Sequence, residues 1–194
     1  MTKKRNWSLF YAKTKDAPPS PLLVRALQNK HLLGKALDLG GGALKDTRYL
    51  LEKGFEVLDL DREALPDALR ADLDPVRFQY RQSAFADFHF PHDEYAIVSA
   101  MYALPFNPPE TFTDVMERIK RSLCKDGIFC GNFFGIHDEW SSTTDMTFLT
   151  TQRVKALFVG MEMLSFEERE WDGILVDGRP KHWHTVDVIA KRTE

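Results

Sequence analysis

Three consecutive glycines, Gly40-Gly41-Gly42, follow the apolar run Ala36-Leu37-Asp38-Leu39 and lead into a segment of helical character. A residue without a Cβ lets the backbone turn sharply and approach a ligand closely. A second apolar run, Phe55 to Leu60, ends in Asp61. That acid falls about 20 residues beyond the first glycine. Buried strand, glycine turn, helix start and a second strand ending in a carboxylate build a nucleotide-type pocket at the end of parallel strands. Asp61 is placed to accept hydrogen bonds from two ribose hydroxyls. Asp59 shares its strand face by parity and reads as a partner to a neighbouring loop. A bare turn needs one glycine, and each extra one costs on the order of 0.5–1 kcal/mol relative to alanine in regular structure.

The residues favour S-adenosylmethionine over NAD. A dinucleotide fingerprint asks for Gly-x-Gly-x-x-Gly, with a pyrophosphate on the helix N-terminus. Gly40 and Gly42 fit that pattern, but Lys45 stands where the third glycine belongs. Asp38, beside the turn, would repel a pyrophosphate. It suits the ammonium and sulfonium of S-adenosylmethionine.

The run Ala36 to Leu50 resembles the first motif of class I S-adenosylmethionine-dependent methyltransferases, in particular the small tellurite-resistance-type group of bacterial enzymes. Phe55 to Asp61 resembles their second strand. Asp126-Gly127 and Ile128 to Gly135 resemble the lead-in and fifth strand. The likeness runs from about Trp7 to Arg192, with Leu44 where such loops often carry a further glycine. It implies a Rossmann-like, doubly wound, mainly parallel sheet of seven strands with the last antiparallel, and helices on both faces. It also implies S-adenosylmethionine as cofactor, S-adenosylhomocysteine as product, and Asp61 as the ribose-binding acid. Residues 1–21 are then an N-terminal segment and linker, with Tyr11 closing a cover over the site, and 22–194 form one domain.

The composition fits such a domain. The 194 residues are 43% hydrophobic and 28% charged, with a net charge of −3. That balance is typical of a globular protein and argues against a nucleic-acid partner. No secretory h-region and no membrane-length apolar run is visible. Cys124 and Cys130 lack metal or redox spacing and read as reduced packing residues of a cytoplasmic protein, Cys124 at a helix end and Cys130 in a strand.

Alternating strand and helix patterns support an α/β fold directly. Strands are expected near 35–39, 55–60, 78–82, 95–100 and 127–134, with a final hairpin of 161–170 and 182–191. Helices are expected near 44–53, 62–70 and 151–159. Ser20 and Pro21 read as N-cap and first residue of a helix with Leu22, Leu23, Ala26 and Leu27 on one face. Asn107 and Glu110 read as a capping box for a helix that buries Phe112, Val115, Met116, Ile119 and Leu123. The hairpin offers an edge for a second copy of the chain.

Function belongs on the loops leaving the carboxyl ends of the strands. Ser83 and Phe85 stand where the family places its adenine contacts, with Phe85 as stacking or core residue. Met101 and Tyr102 follow strand four, in the loop that lies near the transferred methyl in the family. An aromatic ring there favours a cation. His137 and Asp138 follow strand five and are candidates for a general base. His182 and His184 share a strand face, but no third ligand is evident nearby, so no metal is expected.

The expected activity is methyl transfer from S-adenosylmethionine to a small-molecule nucleophile: a thiol, chalcogen oxyanion, amine or carboxylate. The alternative is a non-catalytic S-adenosylmethionine- or S-adenosylhomocysteine-binding protein or partner subunit. A nicotinamide oxidoreductase is disfavoured by Lys45 and Asp38.

Overall fold

The computed structural model describes residues 7–28 and 33–194. Strands β1 (Lys35–Leu39), β2 (Glu56–Asp61), β3 (Phe78–Gln82), β4 (Tyr95–Ala100) and β5 (Leu123–Gly135) are parallel to one another. Strand β8 (Pro180–Arg192) runs antiparallel to β5 and to β7 (Met161–Ile174). The sheet order is β3-β2-β1-β4-β5-β8-β7, and the two-residue β6 (Phe148–Leu149) pairs with the end of β5. Apart from β6, this is the seven-stranded, mainly parallel sheet with its last strand antiparallel.

Helices cover both faces because the strands bury side chains on both. On one face α2 (Pro21–Leu27) and α3 (Lys45–Glu52) bring Leu23, Leu27, Leu50 and Leu51 onto Ala36, Val57, Ile97 and Cys130. On the other, α5 (Pro109–Ser122) and α6 (Thr151–Leu157) pack Phe112, Val115, Ile119 and Val154 onto Leu37, Val98, Phe129 and Val188. The amphipathic spacing of α5 dictates this, since its apolar residues recur every three or four positions.

Several local expectations are corrected. Ser20 and Pro21 take the expected N-cap and first positions of α2, but the Ser20 side chain makes no capping bond. Its hydroxyl donates to Asp46 Oδ2 at 2.7 Å, pinning the start of α2 to the first turn of α3. Asn107 does not cap α5, whose N-cap is Pro108. The Asn107 amide donates to Thr111 Oγ1 at 2.9 Å. Leu123 is buried but already belongs to β5, as does Cys124, which was expected at a helix end. The hairpin is longer at its tip than expected, because the Trp171–Trp183 and Ile174–Pro180 cross-strand pairs extend the ladder.

The chain passes outward from β1 to β3 and returns to β4 on the other side of β1. The strand order therefore reverses between β1 and β4, and a crevice opens beyond their carboxyl ends. The other two helices are α1 (Trp7–Thr14) and the short α4 (Asp67–Arg70). Among the described residues no helix is long and apolar enough to cross a membrane.

Candidate active site

A cavity of about 500 Å³ occupies that crevice. Its size falls within the usual range for small-molecule sites. One wall is the glycine turn. Gly40 has a φ of +69°, and a Cβ there would lie 2.6 Å from the Ala103 Cβ. The turn after β1 and the loop after β4 therefore meet only because Gly40 carries no side chain. Beneath the turn, the Gly41 N–H donates to Asp59 Oδ1 at 3.2 Å. Asp59 Oδ2 is buried and has no hydrogen-bond partner among the described residues. Burial, then the nearby charges of Asp38 and Asp61, push the Asp59 carboxyl well above the usual carboxylate range.

Asp61, at the end of β2, lines the cavity together with Gly40, Gly41, Gly42, Phe85 and Met101. The Glu63 N–H donates to Asp61 Oδ1 at 3.0 Å and fixes the carboxylate. Helix α1 borders the cavity, which Trp7, Phe10 and Tyr11 line. The Trp7 ring meets Phe106 edge-on at 5.5 Å, which ties α1 to the loop after β4. Burial first, then Asp61 and Glu63, raise the Tyr11 hydroxyl above its ordinary range, so it stays protonated and able to donate.

Tyr102 also lines the cavity, and its φ of +54° is a left-handed conformation unusual for a residue with a Cβ. Its N–H donates to Asn132 Oδ1 at 3.3 Å. Asn132 donates in turn to Asp187, which also pairs with Arg169. Burial raises the Tyr102 hydroxyl pKa, with Asp187 adding to the effect.

Four candidates lie elsewhere. Asp38 points to the α3 side of β1, where Thr47 Oγ1 and Ser99 Oγ donate to its two oxygens at 2.6 and 2.5 Å. Burial, then the Asp46 charge, push its pKa up to about 6. Ser83 does not line the cavity and donates to the Ala84 carbonyl at 3.0 Å. His137 is exposed, with Nδ1 2.9 Å from Glu170 Oε1 and its ring stacked on His184. Asp138 is fully buried, with both oxygens 2.6 Å from Lys181 Nζ. Neither His137 nor Asp138 lines the cavity. Strand parity accounts for His137, which stacks on His184: His182 and His184 face one side of the hairpin, Lys181 and the cavity-lining Trp183 the other.

His137, Glu170 and His184 bring ligand-type atoms within 4.8 Å of one another. These groups satisfy each other: His184 Nδ1 accepts the His137 N–H at 3.1 Å, and His184 Nε2 meets Glu168 Oε1 at 2.9 Å. Sequence inspection paired His182 with His184 and missed Glu170, which lies opposite His184 across the hairpin. It also missed Trp171 and Trp183 as cavity walls and Lys181 as the partner of Asp138. The pairing of Trp171 with Trp183 across a hairpin was the available signal for the first.

No family model and no curated protein matches the chain. Solved structures do. A Burkholderia thailandensis 1,6-didemethyltoxoflavin-N1-methyltransferase, with 1,6-didemethyltoxoflavin and S-adenosylhomocysteine bound, superposes with a TM-score of 0.70 at 17% identity, covering 90% of this chain and 77% of that one. A SAM-dependent methyltransferase from Methanosarcina mazei gives 0.65 at 16% identity over 91% and 99%. TehB from Haemophilus influenzae gives 0.67 at 13% identity over 99% and 64%. The chain is similar to these proteins in fold: it has the Rossmann-like architecture seen in these methyltransferases.

Proposed function

We propose that the protein is an S-adenosylmethionine-dependent methyltransferase acting on a small molecule. The supporting observation is the position of the glycine turn and Asp61 on one cavity at the point where the strand order reverses. In this reading Asp61 accepts hydrogen bonds from the ribose hydroxyls. Gly40 and Gly42 allow close approach of the methionine portion, Phe85 flanks the adenine, and Met101 lies toward the transferred methyl. The Burkholderia neighbour, which holds S-adenosylhomocysteine, and TehB share the fold and so add support.

The reaction is an in-line displacement. A lone pair on the acceptor forms a bond to the methyl carbon. The carbon–sulfur bond breaks and its electron pair returns to sulfur, leaving neutral S-adenosylhomocysteine. The protein contributes alignment and exclusion of water. Helix α1 supports the second task by bordering the cavity.

Calorimetric titration of S-adenosylhomocysteine, with NAD as control, tests this reading. Saturable binding that is lost in Asp61→Ala, with no NAD binding, is the expected result. Undiminished affinity in Asp61→Ala would remove the ribose assignment. Absence of binding to folded wild-type protein would remove the whole reading, and binding without turnover across a panel of acceptors would favour a binding protein.

A further inference from the structure

Beyond Met101 the cavity is walled by six aromatic rings: Tyr102, Phe106, Phe134, Trp140, Trp171 and Trp183. They arrive from three strands and two loops but form one connected surface. Trp183 lies 6.0 Å from Tyr102, 5.9 Å from Phe134 and 5.9 Å from Trp140 between ring centres. Trp171 stacks parallel to Trp183, at 5.9 Å and 9°. Among the described lining residues after Met101 there is no histidine, cysteine or lysine. The two charged ones, Asp177 and Arg179, pair with each other at 2.7 Å.

A wall of rings by itself suits either a flat ring or a cation. Lys181 decides between them. It does not line the cavity, yet its ammonium sits 3.9 Å from the Trp183 centroid, 4.5 Å from Trp140 and 5.4 Å from Phe134. Its position is fixed by Asp138, with both carboxylate oxygens at 2.6 Å. Arg169 lies 5.4 Å from the Trp171 centroid, so four of the six rings already carry a cation against their π systems. Asp138 offsets the Lys181 charge at a distance, but a second cation on these rings must share π density that the first already engages, whereas a neutral ring stacks without that competition.

We propose that this half of the cavity binds a neutral, flat aromatic or heteroaromatic molecule. As the identity of the methyl acceptor this rests on the methyltransferase reading; as a binding site it does not. The nucleophile is a heteroatom on or in that ring. It attacks by its own lone pair, and any proton it loses passes to bulk water once the methylated product leaves, since the ring wall supplies no imidazole, thiol or amine.

Three probes test the proposal: 2-naphthol, flat and neutral; decahydro-2-naphthol, the same skeleton without a flat face; and N-methylquinolinium, flat and cationic. Binding is followed by tryptophan fluorescence and calorimetry, with and without saturating S-adenosylhomocysteine. The expected result is at least tenfold tighter binding of 2-naphthol than of either other probe. Trp183→Leu is expected to erase that preference and Trp183→Phe to keep most of it, with S-adenosylhomocysteine affinity unchanged in both. Equal binding of the saturated probe, or a preference that survives Trp183→Leu, overturns the flat-ring assignment. Tighter binding of N-methylquinolinium overturns the neutral one. A 2-naphthol preference without any S-adenosylhomocysteine binding supports the ring site and sinks only the methyltransferase reading.

Discussion

Gly41 rests directly on the Asp59 carboxyl group. Its N–H donates to Oδ1, and a Cβ built on it would fall 2.6 Å from Oδ2. The glycine turn is thus shaped from below by a buried acid as well as from above by whatever enters the cavity. The second of the three glycines is required by the protein's own side chain.

Gly41→Ala is therefore expected to damage the turn even without ligand. Overpacking of this kind costs roughly 1–3 kcal/mol. Chemical denaturation should show that loss, and S-adenosylhomocysteine affinity should fall at least tenfold. Unchanged stability would mean that Asp59 moves aside freely.

His137→Ala is expected to leave S-adenosylhomocysteine affinity and kcat/KM within about twofold of wild type. The side chain is exposed, pairs with Glu170 and does not line the cavity. A tenfold or greater loss of kcat, with binding intact, would restore it as a base.

Stability should depend on pH through Asp38. Burial first, then Asp46, raise its folded pKa to about 6 from an ordinary value of 3.8. The folded state holds the proton more tightly than the unfolded state. Its contribution to stability is therefore full below pH 3.8 and is lost as pH rises through about 6. Asp38→Asn, which cannot ionise, should flatten that decline between pH 4 and 6, as measured by urea denaturation across the range. A slope identical to wild type would locate the linkage elsewhere, with Asp59, shifted in the same direction, the first place to look.

Lys181→Met should destabilise the fold by roughly 3–5 kcal/mol, because it leaves the Asp138 carboxylate buried and unpaired. The double variant Lys181→Met, Asp138→Leu should recover most of that loss. A double-mutant cycle by chemical denaturation measures the coupling. Additive losses would show that the two groups do not depend on each other.

Local pattern was enough to read much of the frame. β1 and β4 fall where apolar runs between breakers place them, β3 where Phe78 and Tyr80 alternate with polar residues, and the buried face of α5 follows from its 3.6-residue period. The glycine turn and Asp61 were legible for the same reason: each is the end of a recognisable strand. Asp38 was misplaced because parity tells which face of β1 it occupies but not that Thr47 and Ser99 await it there. Asp138 and Lys181 lie on different elements, and nothing near either one in sequence announces an ion pair. The ring wall was partly visible in Tyr102. Its completion by Trp171 and Trp183 depends on how a long hairpin extends the sheet beside β5.

The reversal of strand order between β1 and β4 divides the cavity by chain position. The glycine turn, Asp61 and Phe85 all precede β4, whereas the ring wall from Tyr102 to Trp183 follows it. In the proposed reading, grip on the cofactor and choice of the acceptor are thus written in separate stretches of the chain. That reading makes the hairpin the natural place to engineer a new specificity, with the first hundred residues left to hold the cofactor.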